Sequence, residues 1–413
     1  MSPVEEWVKM FGRKSVITVI ITQRASDDSI ENELAVEILG SIIHQIMERI
    51  VVTNSNQPLV VEQATRVLAQ GGLVLFPTET TYGAGVDACN PEAVTKLLTY
   101  KSRREGKPLS IAVTDLAMAQ QYVEVNDQAN TLYQQFLPGP VTVVSLGKGM
   151  VAAGVESEFC TLGVRIPDYP LVHAVVNALG RPITATSANG SGAKRPYTIE
   201  DVLNHLSAMQ TALIDLIIDA GQLPVRPPST VIDTTLSTPI TLREGGIVVK
   251  PDDANANHSI CLTSSSEEET KRIAGRLMLK HWDSLSQGPI IVALDGPLGA
   301  GKTVFTKGVA KFLKIDTPIT SPTYTYLEEY AFVRFDRSGT LFHLDMWKVD
   351  SQQVFERLAF AQLLAPNSVI VVEWWNQVAT FVKPLLANYP HVLIKCELND
   401  QDQSQQRQIV IRE

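Results

Sequence analysis

The clearest chemical motif in the chain is Gly296-Pro-Leu-Gly-Ala-Gly-Lys-Thr303, which fits the phosphate-binding pattern G-x-x-x-x-G-K-[ST] at every position. Glycines let the backbone turn tightly, so that successive N–H groups point at one anion. An apolar run precedes the motif and a helical run follows it, so the start of that helix adds partial positive charge. We expect a nucleotide to be held by Gly296, Gly299, Ala300, Gly301, Lys302 and Thr303. A chance glycine-rich turn is the alternative.

Two carboxylates end apolar runs that follow this loop. Asp345 ends the run Leu341–Asp345, and Glu373 ends the run Val369–Glu373. The carboxyl ends of parallel strands meet at the sheet edge where α/β proteins bind ligands. Lys302 of the loop would reach the β- and γ-phosphates, and the hydroxyl of Thr303 would sit on Mg²⁺. Either carboxylate is therefore a candidate for the metal side of the site, with a helix cap or a surface acid as the alternative.

A second group of polar residues lies in the middle of the chain, where each member is close to an end of a strand or helix. Its candidate ligand-binding residues are Thr80, Lys101, Arg103, Lys107, Ser187, Asn189, Ser229 and Arg243. The cations can offset the negative charge of a triphosphate, while the hydroxyls and the amide can orient a small polar substrate. On these residues alone we predict a small anionic ligand, a nucleotide being the best fit.

Taken one at a time, these residues also have simpler interpretations. The run Lys101–Lys107 alone is typical of a solvated basic turn, and Ser187–Asn189 alone is typical of a turn with side-chain hydrogen bonds. Arg165 fits a structural ion pair better than a ligand. His173 and His205 lie in helical stretches and are interpreted as surface or packing residues, so no general base is evident.

The elements that must position these residues alternate along the chain in the manner of an α/β protein. In residues 53–250, the middle segment, strands are predicted at 73–76, 109–113, 141–145, 162–166, 183–185, 216–219 and 231–233, and helices at 60–69, 91–100, 129–136, 170–179 and 199–206. In residues 262–413, the C-terminal segment, a helix starts in 264–270 and another at 302, with strands at 290–294, 341–345, 369–373 and 391–396. Residues 251–261 are a polar linker, and 400–408 are expected to be exposed. Residues 1–52 form a short β/α appendage, with a strand at 15–22 and a helix at 31–50, and have no assigned role.

Composition sets the broad class of the protein. The 413 residues are 45% hydrophobic and 19% charged, which excludes wholesale disorder and predicts two or three domains. A net charge of −9 argues against coating nucleic acid or anionic lipid by bulk charge. The four cysteines are far apart and form no Cys-x-x-Cys pair. No export signal and no run of ~20 apolar residues is present, so we expect a cytoplasmic protein with no membrane segment.

The C-terminal segment resembles the TsaE family, small bacterial ATPases of tRNA threonylcarbamoyladenosine biosynthesis. The resemblance rests on Gly296–Thr303, Ser321-Pro-Thr-Tyr-Thr325, His343-Leu-Asp-Met-Trp347 and Val372-Glu-Trp374, in the family's order. It implies that Lys302 and Thr303 bind nucleotide and Mg²⁺, that Glu373 acts at the metal, and that Asp345 acts near the γ-phosphate or its water. Thr323 would lie in a switch-like loop that senses the γ-phosphate. Two departures are Trp374-Trp375, where the family often has Trp-Pro, and an insertion at 332–338, interpreted as a solvated hairpin.

The middle segment resembles the YrdC/TsaC family of L-threonylcarbamoyladenylate synthases from end to end. The resemblance rests on Pro77-Thr-Glu-Thr80-x-Tyr-Gly, Lys101-x-Arg103, Pro138-Gly-Pro140-x-Thr142, Val164-Arg165-x-Pro167, Ser187-Ala-Asn189-x-Ser-Gly, Ser229-Thr-Val-Ile-Asp and Leu242-Arg243-x-Gly-Gly. It implies that Thr80 and Ser229 hold threonine, with Lys101 and Arg103 bridging its carboxylate or carbamate to phosphate. Lys107 and Arg243 would bind phosphate, and Ser187 and Asn189 would contact the nucleotide.

The two resemblances together predict a bifunctional enzyme. The fold would be a YrdC-like twisted α/β sheet domain joined to a P-loop NTPase α/β domain. The middle segment would form threonylcarbamoyl-AMP from L-threonine, bicarbonate and ATP, and the C-terminal segment would hydrolyse ATP with Mg²⁺. The implied partners are TsaD/TsaB-like proteins of a threonylcarbamoyl transferase complex, through which tRNA is reached indirectly. Two alternatives stay open: a nucleotide-dependent RNA- or protein-binding regulatory module with little turnover, and, less favoured, a small-molecule kinase.

Overall fold

The computed structural model describes residues 47–101, 109–189, 194–249, 259–322, 324–335, 337–349, 351–400 and 406–413. Residues Arg49–Glu413 form one compact unit. In these described ranges no helix is both long and apolar enough to cross a lipid bilayer. Residues 251–258 of the predicted linker and most of the N-terminal appendage lie outside the described residues. The linker prediction is wrong at its end, since residues 259–261 belong to the β-strand Ser259–Ser264. The helix predicted for 31–50 is wrong at its end, since Glu48–Val51 is a β-strand.

The middle segment folds into two mixed sheets with helices packed on them, which confirms the α/β prediction. Its helices are α1 (Gln57–Ala69), α2 (Pro91–Tyr100), α3 (Leu116–Tyr122), α4 (Asp127–Phe136), α5 (Pro170–Leu179), α6 (Ile199–Leu203) and α7 (Ala208–Thr211). Its strands are β1 (Glu48–Val51), β2 (Val74–Pro77), β3 (Tyr82–Gly85), β4 (Ser110–Ala112), β5 (Val141–Leu146), β6 (Thr161–Arg165), β7 (Ile183–Thr184), β8 (Thr186–Ser187), β9 (Leu216–Asp219), β10 (Thr230–Asp233) and β11 (Ile240–Arg243). The strand orders are β1-β9-β2-β3-β8 and β11-β10-β5-β6-β4-β7.

Local sequence explains where these elements begin and end. Helix α2 starts with Pro91 in its first turn, and the side chain of Asn90 caps it by accepting from two backbone N–H groups. Helix α5 ends at Gly180, whose φ of 67° lies in the left-handed region. Strand β3 was not predicted, because its Tyr-Gly-Ala-Gly sequence is typical of a loop. Gly85 is required there, since a Cβ would lie 2.8 Å from the carbonyl oxygen of Thr184.

The six-stranded sheet supplies a polar face. Pairing places Val231 beside Thr142, Val144 beside Gly163, and Gly163 beside Ser110. Because side chains alternate across a strand, these residues share one side of the sheet. Short side chains and a glycine leave room above this face, which becomes the floor of the cavity described below.

The C-terminal segment is built around one seven-stranded sheet. Its helices are α8 (Glu267–His281), α9 (Lys302–Phe312), α10 (Gln352–Arg357) and α11 (Trp375–Leu386), with 3₁₀ turns at Trp282–Ser286 and Phe360–Leu363. Its strands are β12 (Ser259–Ser264), β13 (Ile290–Asp295), β14 (Leu327–Arg334), β15 (Arg337–Asp345), β16 (Ser368–Glu373), β17 (Val392–Asp400) and β18 (Arg407–Arg412), in the order β12-β18-β17-β13-β16-β15-β14. The predicted helix starts are confirmed at Glu267, capped by Ser266, and at Lys302. The stretch 400–408 was expected to be exposed, but β17 runs to Asp400 and β18 begins at Arg407; residues 401–405 are outside the described residues.

The two segments share an apolar core and buried ion pairs. Leu236 and Ile240 of the middle segment belong to the same buried cluster as Leu262 and Leu277 of the C-terminal segment. The expectation of a solvated hairpin at 332–338 is wrong for Arg334. Its guanidinium is buried and pairs with Glu158 of the middle segment. The inserted hairpin therefore docks one segment on the other.

Candidate active sites

The first site is a cavity of about 370 Å³ above the polar face of the six-stranded sheet. Five predicted ligand-binding residues line it: Thr80, Ser187, Asn189, Ser229 and Arg243. They come from separate parts of the segment, and Thr80 precedes the other four by more than a hundred positions. The structure therefore brings together most of the predicted group, although the role of each residue stays a prediction.

A hydroxyl and guanidinium cluster forms the polar part of the cavity floor. Arg243 Nη2 donates to Ser229 Oγ at 2.8 Å and to the Ser229 carbonyl oxygen at 3.0 Å. Ser229 Oγ in turn lies 3.0 Å from Thr142 Oγ1. Sequence reasoning missed Thr142 as a site residue, although it ends the Pro138-Gly-Pro-x-Thr pattern. A fixed positive charge beside two hydroxyls suits a polar anionic ligand.

Thr80 is held by the tight turn between β2 and β3. Thr78 Oγ1 accepts from the backbone N–H groups of Thr80 and Thr81, each at 3.2 Å, and donates to the Thr81 carbonyl oxygen at 2.7 Å. Beside this turn, the buried Glu79 carboxylate pairs with Arg165, which also lines the cavity. The structural ion pair expected for Arg165 is thus present.

Lys101 supports the cavity wall. Its ammonium donates to the carbonyl oxygens of Ser187, at 2.6 Å, and of Asn189. Tyr100, which precedes it, donates to the Ala188 carbonyl oxygen at 2.6 Å. The buried end of α2 therefore fixes the Ser187–Asn189 loop. Of the other predicted cations of this run, Arg103 and Lys107 lie outside the described residues.

Arg195 is a cation of the cavity that sequence reasoning missed. It lines the space and is only half-buried. Among the described residues it forms no hydrogen bond or ion pair, so its charge is available to a ligand. The basic pair Lys194-Arg195, shortly after the Ser187–Asn189 motif, was the available signal.

The second site is the glycine-rich loop between β13 and α9. Gly296, Gly299 and Gly301 have φ values of 138°, 85° and 98°, which side chains rarely tolerate. Lys302 Nζ donates to the carbonyl oxygens of Gly296 and Pro297, both at 2.8 Å, and lies 3.7 Å from the ring centre of Trp374. Burial lowers the pKa of Lys302. Ala300 is buried under the loop.

Glu373 ends β16 next to this loop and is surrounded by donors. Thr303 Oγ1 donates to its Oε2 at 3.2 Å, and His343 Nε2 lies 2.8 Å from its Oε1. Hydroxyl and carboxylate oxygens are the ligands that Mg²⁺ prefers, so Thr303 and Glu373 fit that ion. His343 is fully buried and was missed, because sequence reasoning used only the aspartate of its motif.

Asp345 lies beside Glu373 on the neighbouring parallel strand. Its carboxylate accepts from Ser321 Oγ at 2.6 Å and from the Trp347 backbone N–H at 3.1 Å. These contacts tie the loop before β14 to the sheet edge. Thr323, the predicted γ-phosphate sensor of that loop, lies outside the described residues.

Trp374 adopts a φ of 62° immediately before α11, whose first residue, Trp375, is the position where the sequence departs from the TsaE pattern. Its ring packs on Trp347 at 4.3 Å between centres and covers Lys302. A further cation, Arg407, approaches the loop from β18. A Cβ at Gly301 would lie 3.1 Å from Arg407 Nε. Arg407 carried no sequence signal, because only strand pairing brings it there.

Comparison with known proteins assigns each of the two segments to a family. Residues 66–245 match the Sua5/YciO/YrdC family, whose profile carries the description "Telomere recombination". Residues 264–409 match the family described as "Threonylcarbamoyl adenosine biosynthesis protein TsaE".

Individual relatives match about half of the chain. The chain is 34% identical over 191 residues to a putative threonylcarbamoyl-AMP synthase of Methanocaldococcus jannaschii, covering 46% of this chain and 88% of that protein. It is 32% identical over 235 residues to the threonylcarbamoyl-AMP synthase of Bacillus subtilis, covering 55% and 65%. The crystal structure of Escherichia coli YciO aligns with 30% identity over 50% of this chain and 98% of that one, with a TM-score of 0.44. The chain therefore belongs to the Sua5/YciO/YrdC family of threonylcarbamoyl-AMP synthases and joins that fold to a TsaE domain.

Proposed function

We propose that the middle segment forms threonylcarbamoyl-AMP from L-threonine, bicarbonate and ATP and releases pyrophosphate. The observation that carries this proposal is the hydrogen-bonded cluster of Arg243, Ser229 and Thr142, in a cavity that Arg195 also lines. An amino acid needs hydroxyl and cationic partners, and a triphosphate needs several cations. The cavity offers both.

The reaction demands little covalent work from the protein. Threonine and bicarbonate give a carbamate and water, one carbamate oxygen then bonds to the α-phosphorus of ATP, and the bond from that phosphorus to pyrophosphate breaks. Negative charge collects on the phosphate oxygens, so positioned cations supply the catalysis. Arg243 and Arg195 face that charge, while Thr80 and Ser229 hold threonine. Lys101, Arg103 and Lys107 complete the set by the family resemblance, with Ser187 and Asn189 at the nucleotide.

The C-terminal segment, in the same proposal, binds and hydrolyses ATP in support of a threonylcarbamoyl transferase complex. Thr303 and Glu373 would hold Mg²⁺, which would neutralise charge on the β- and γ-phosphates. Lys302 would leave the carbonyl oxygens of its own loop for phosphate. Asp345 and Thr323 would act at the γ-phosphate. Partners of the TsaD/TsaB type and a cytoplasmic location belong to this proposal, with tRNA reached through the complex.

Pyrophosphate release tests the synthase. It should require L-threonine, bicarbonate and ATP together, and Arg243→Ala should reduce it at least a hundredfold, since a charge-assisted contact to phosphate is worth about 3 kcal/mol. Arg66→Ala, at an exposed position of α1, is the matched control and should change nothing. Release without threonine would reject the proposed reaction.

The ATPase is tested separately. Lys302→Ala should abolish phosphate release from ATP and leave threonine-dependent pyrophosphate release intact. A second candidate for this segment is a nucleotide-dependent docking module with little turnover. The contacts of Lys302 with its own loop and with Trp374 favour it, because nucleotide must displace them. Nucleotide binding without any phosphate release would select this candidate.

A further inference from the structure

Part of the wall of the synthase cavity comes from the other segment. Besides residues of the middle segment, the cavity is lined by Arg276, Leu279, Trp282, Asp283 and Phe335. The first four lie on α8 and the turn after it, and Phe335 lies at the tip of the β14–β15 hairpin. We propose that these C-terminal residues form the part of the cavity that contacts the adenylate, so that synthase substrates bind to a site made by both segments. This inference rests on the proposed synthase function.

The wall is held by contacts that are buried between the segments. Arg276 Nε lies 2.9 Å from Asp233 Oδ2, and both side chains are almost fully buried. Glu158 of the middle segment pairs with both Arg334 and Lys314. Burial opposes ionisation of Glu158, but these two cations outweigh it and lower its pKa. An interface with buried charges on both sides is specific, since any displacement leaves a charge without its partner.

The register of the floor shows which part of a substrate this wall would meet. Ser229, assigned to threonine, directly precedes β10, and Asp233 is the last residue of that strand. Four residues of extended chain span about 13 Å. Arg276 therefore marks a position about 13 Å from the threonine end of the floor. A ligand that starts at Ser229 and extends along β10 places its nucleotide part toward the C-terminal segment.

Phe335 has an unfavourable backbone conformation that its ring contacts offset. Its φ of 52° lies in the left-handed region, where hairpin turns favour asparagine, aspartate or glycine. The ring is nevertheless buried, with ring centres 5.7 Å from Trp282 and 6.3 Å from Phe312. The turn thus has a less favoured residue type and places an aromatic ring in the cavity wall, where the Arg334 guanidinium lies 4.0 Å from the ring centre. Aromatic faces are suitable surfaces for an adenine ring.

The cavity wall also offers buried donors. Arg276 Nη2 has no hydrogen-bond partner among the described residues and is shielded from solvent. Arg276 also lines the cavity, so a phosphate oxygen or ribose hydroxyl of an adenylate would satisfy this donor once the side chain moves toward the ligand. Enclosure has a chemical benefit too, because the carbamoyl–phosphate anhydride of the product is open to hydrolysis, and a covered site excludes water.

The test compares two residues of one hairpin in the full chain. Phe335→Asn removes the ring but suits the left-handed turn, whereas Val333→Asn changes an exposed position and serves as control. We expect Phe335→Asn to raise KM for ATP in threonine-dependent pyrophosphate release by about three- to tenfold, the loss of one aromatic contact. KM for threonine and the KM values of Val333→Asn should stay unchanged. Loss of folded protein alone would lower kcat and leave KM as it was.

Leu279→Ser, at a partly exposed position of the same wall, is the second variant and should raise KM for ATP in the same direction. If both variants keep the wild-type KM for ATP, the composite site is refuted while the synthase itself stands. If the wild-type chain releases no pyrophosphate in response to threonine, the proposed function fails first, and this inference fails with it.

Discussion

Replacing Arg276 by methionine probes the ion pair that joins the two segments. Methionine keeps most of the apolar volume of the arginine stem but removes the charge. Arg276 is 2% exposed and Asp233 is 0% exposed, so the variant leaves a carboxylate buried without its cation. Removing one partner of such a pair costs about 3–5 kcal/mol.

The structure places the expected cost at the lower end of that range. Asp233 Oδ1 already accepts from the backbone N–H of Thr235 at 2.8 Å and from its hydroxyl at 2.6 Å. The carboxylate that remains in Arg276→Met is therefore partly satisfied, and we expect a loss of about 3 kcal/mol in the free energy of unfolding. The double variant Arg276→Met/Asp233→Asn removes both buried charges and keeps an acceptor for Thr235. It should recover about 2 kcal/mol of that loss, because neither ion then has to be desolvated.

Urea unfolding followed by far-ultraviolet circular dichroism measures these differences by linear extrapolation. The wild type, both single variants and the double variant complete a mutant cycle. If Arg276→Met costs less than about 1 kcal/mol, the pair is not the buried link described here. If the double variant is as unstable as Arg276→Met, the loss comes from packing and not from the unpaired charge.

Three further predictions concern the glycine-rich loop, the ion pair between Glu158 and the hairpin, and the residues of the second site that fit Mg²⁺. Gly301→Ala places a Cβ at a φ of 98° beside the side chain of Arg407, and calorimetric titration should show that nucleotide binding is lost. The control is Gly180→Ala, at a φ of 67° with no atom near the new Cβ. It should lower the free energy of unfolding and leave nucleotide binding unchanged. Glu158→Gln should destabilise the chain at pH 7. Because the pKa of Glu158 is held below its ordinary 4.5, its contribution exists above that pH and is lost as pH falls through the folded-state value, so unfolding curves of variant and wild type should converge in acid. His343→Leu should raise the Mg²⁺ concentration needed for ATP binding by about tenfold, because Glu373 loses the partner that orients it. His343→Gln still donates a hydrogen bond, so it should raise that concentration less. Equal effects of the two variants would refute orientation by hydrogen bonding.

The sequence was most informative where a motif and its flanking periodicity coincide. The loop before Lys302 could be placed because strand, glycines and helix follow one another locally. Helix α2 was predicted to the residue, since Pro91 and the Asn90 cap define its start. Thr142, Arg195 and His343 were missed because their roles depend on pairing between strands and loops that are distant in sequence.

The docking of the hairpin at 332–338 could not be predicted either. A short insertion with two arginines is typical of solvated turns, and nothing local marks Glu158, 176 positions away from Arg334, as its partner. The same holds for β12, β14 and β18, whose pairing depends on the whole sheet. Contacts between residues that are distant in sequence determine the hairpin docking and the strand pairing, and local helix or strand propensity does not report them.

The shared interior has a consequence for how the chain can be divided. Leu236 and Ile240 have their apolar neighbours on the far side of the linker, and so does the carboxylate of Asp233. If the chain were divided within 251–258 and the two parts were separated, these side chains would be exposed to water and the cavity would lose the part of its wall that comes from the C-terminal segment. The two segments are therefore not independent domains joined by a linker, because each supplies buried side chains to an apolar core and a cavity that the other cannot complete when expressed alone.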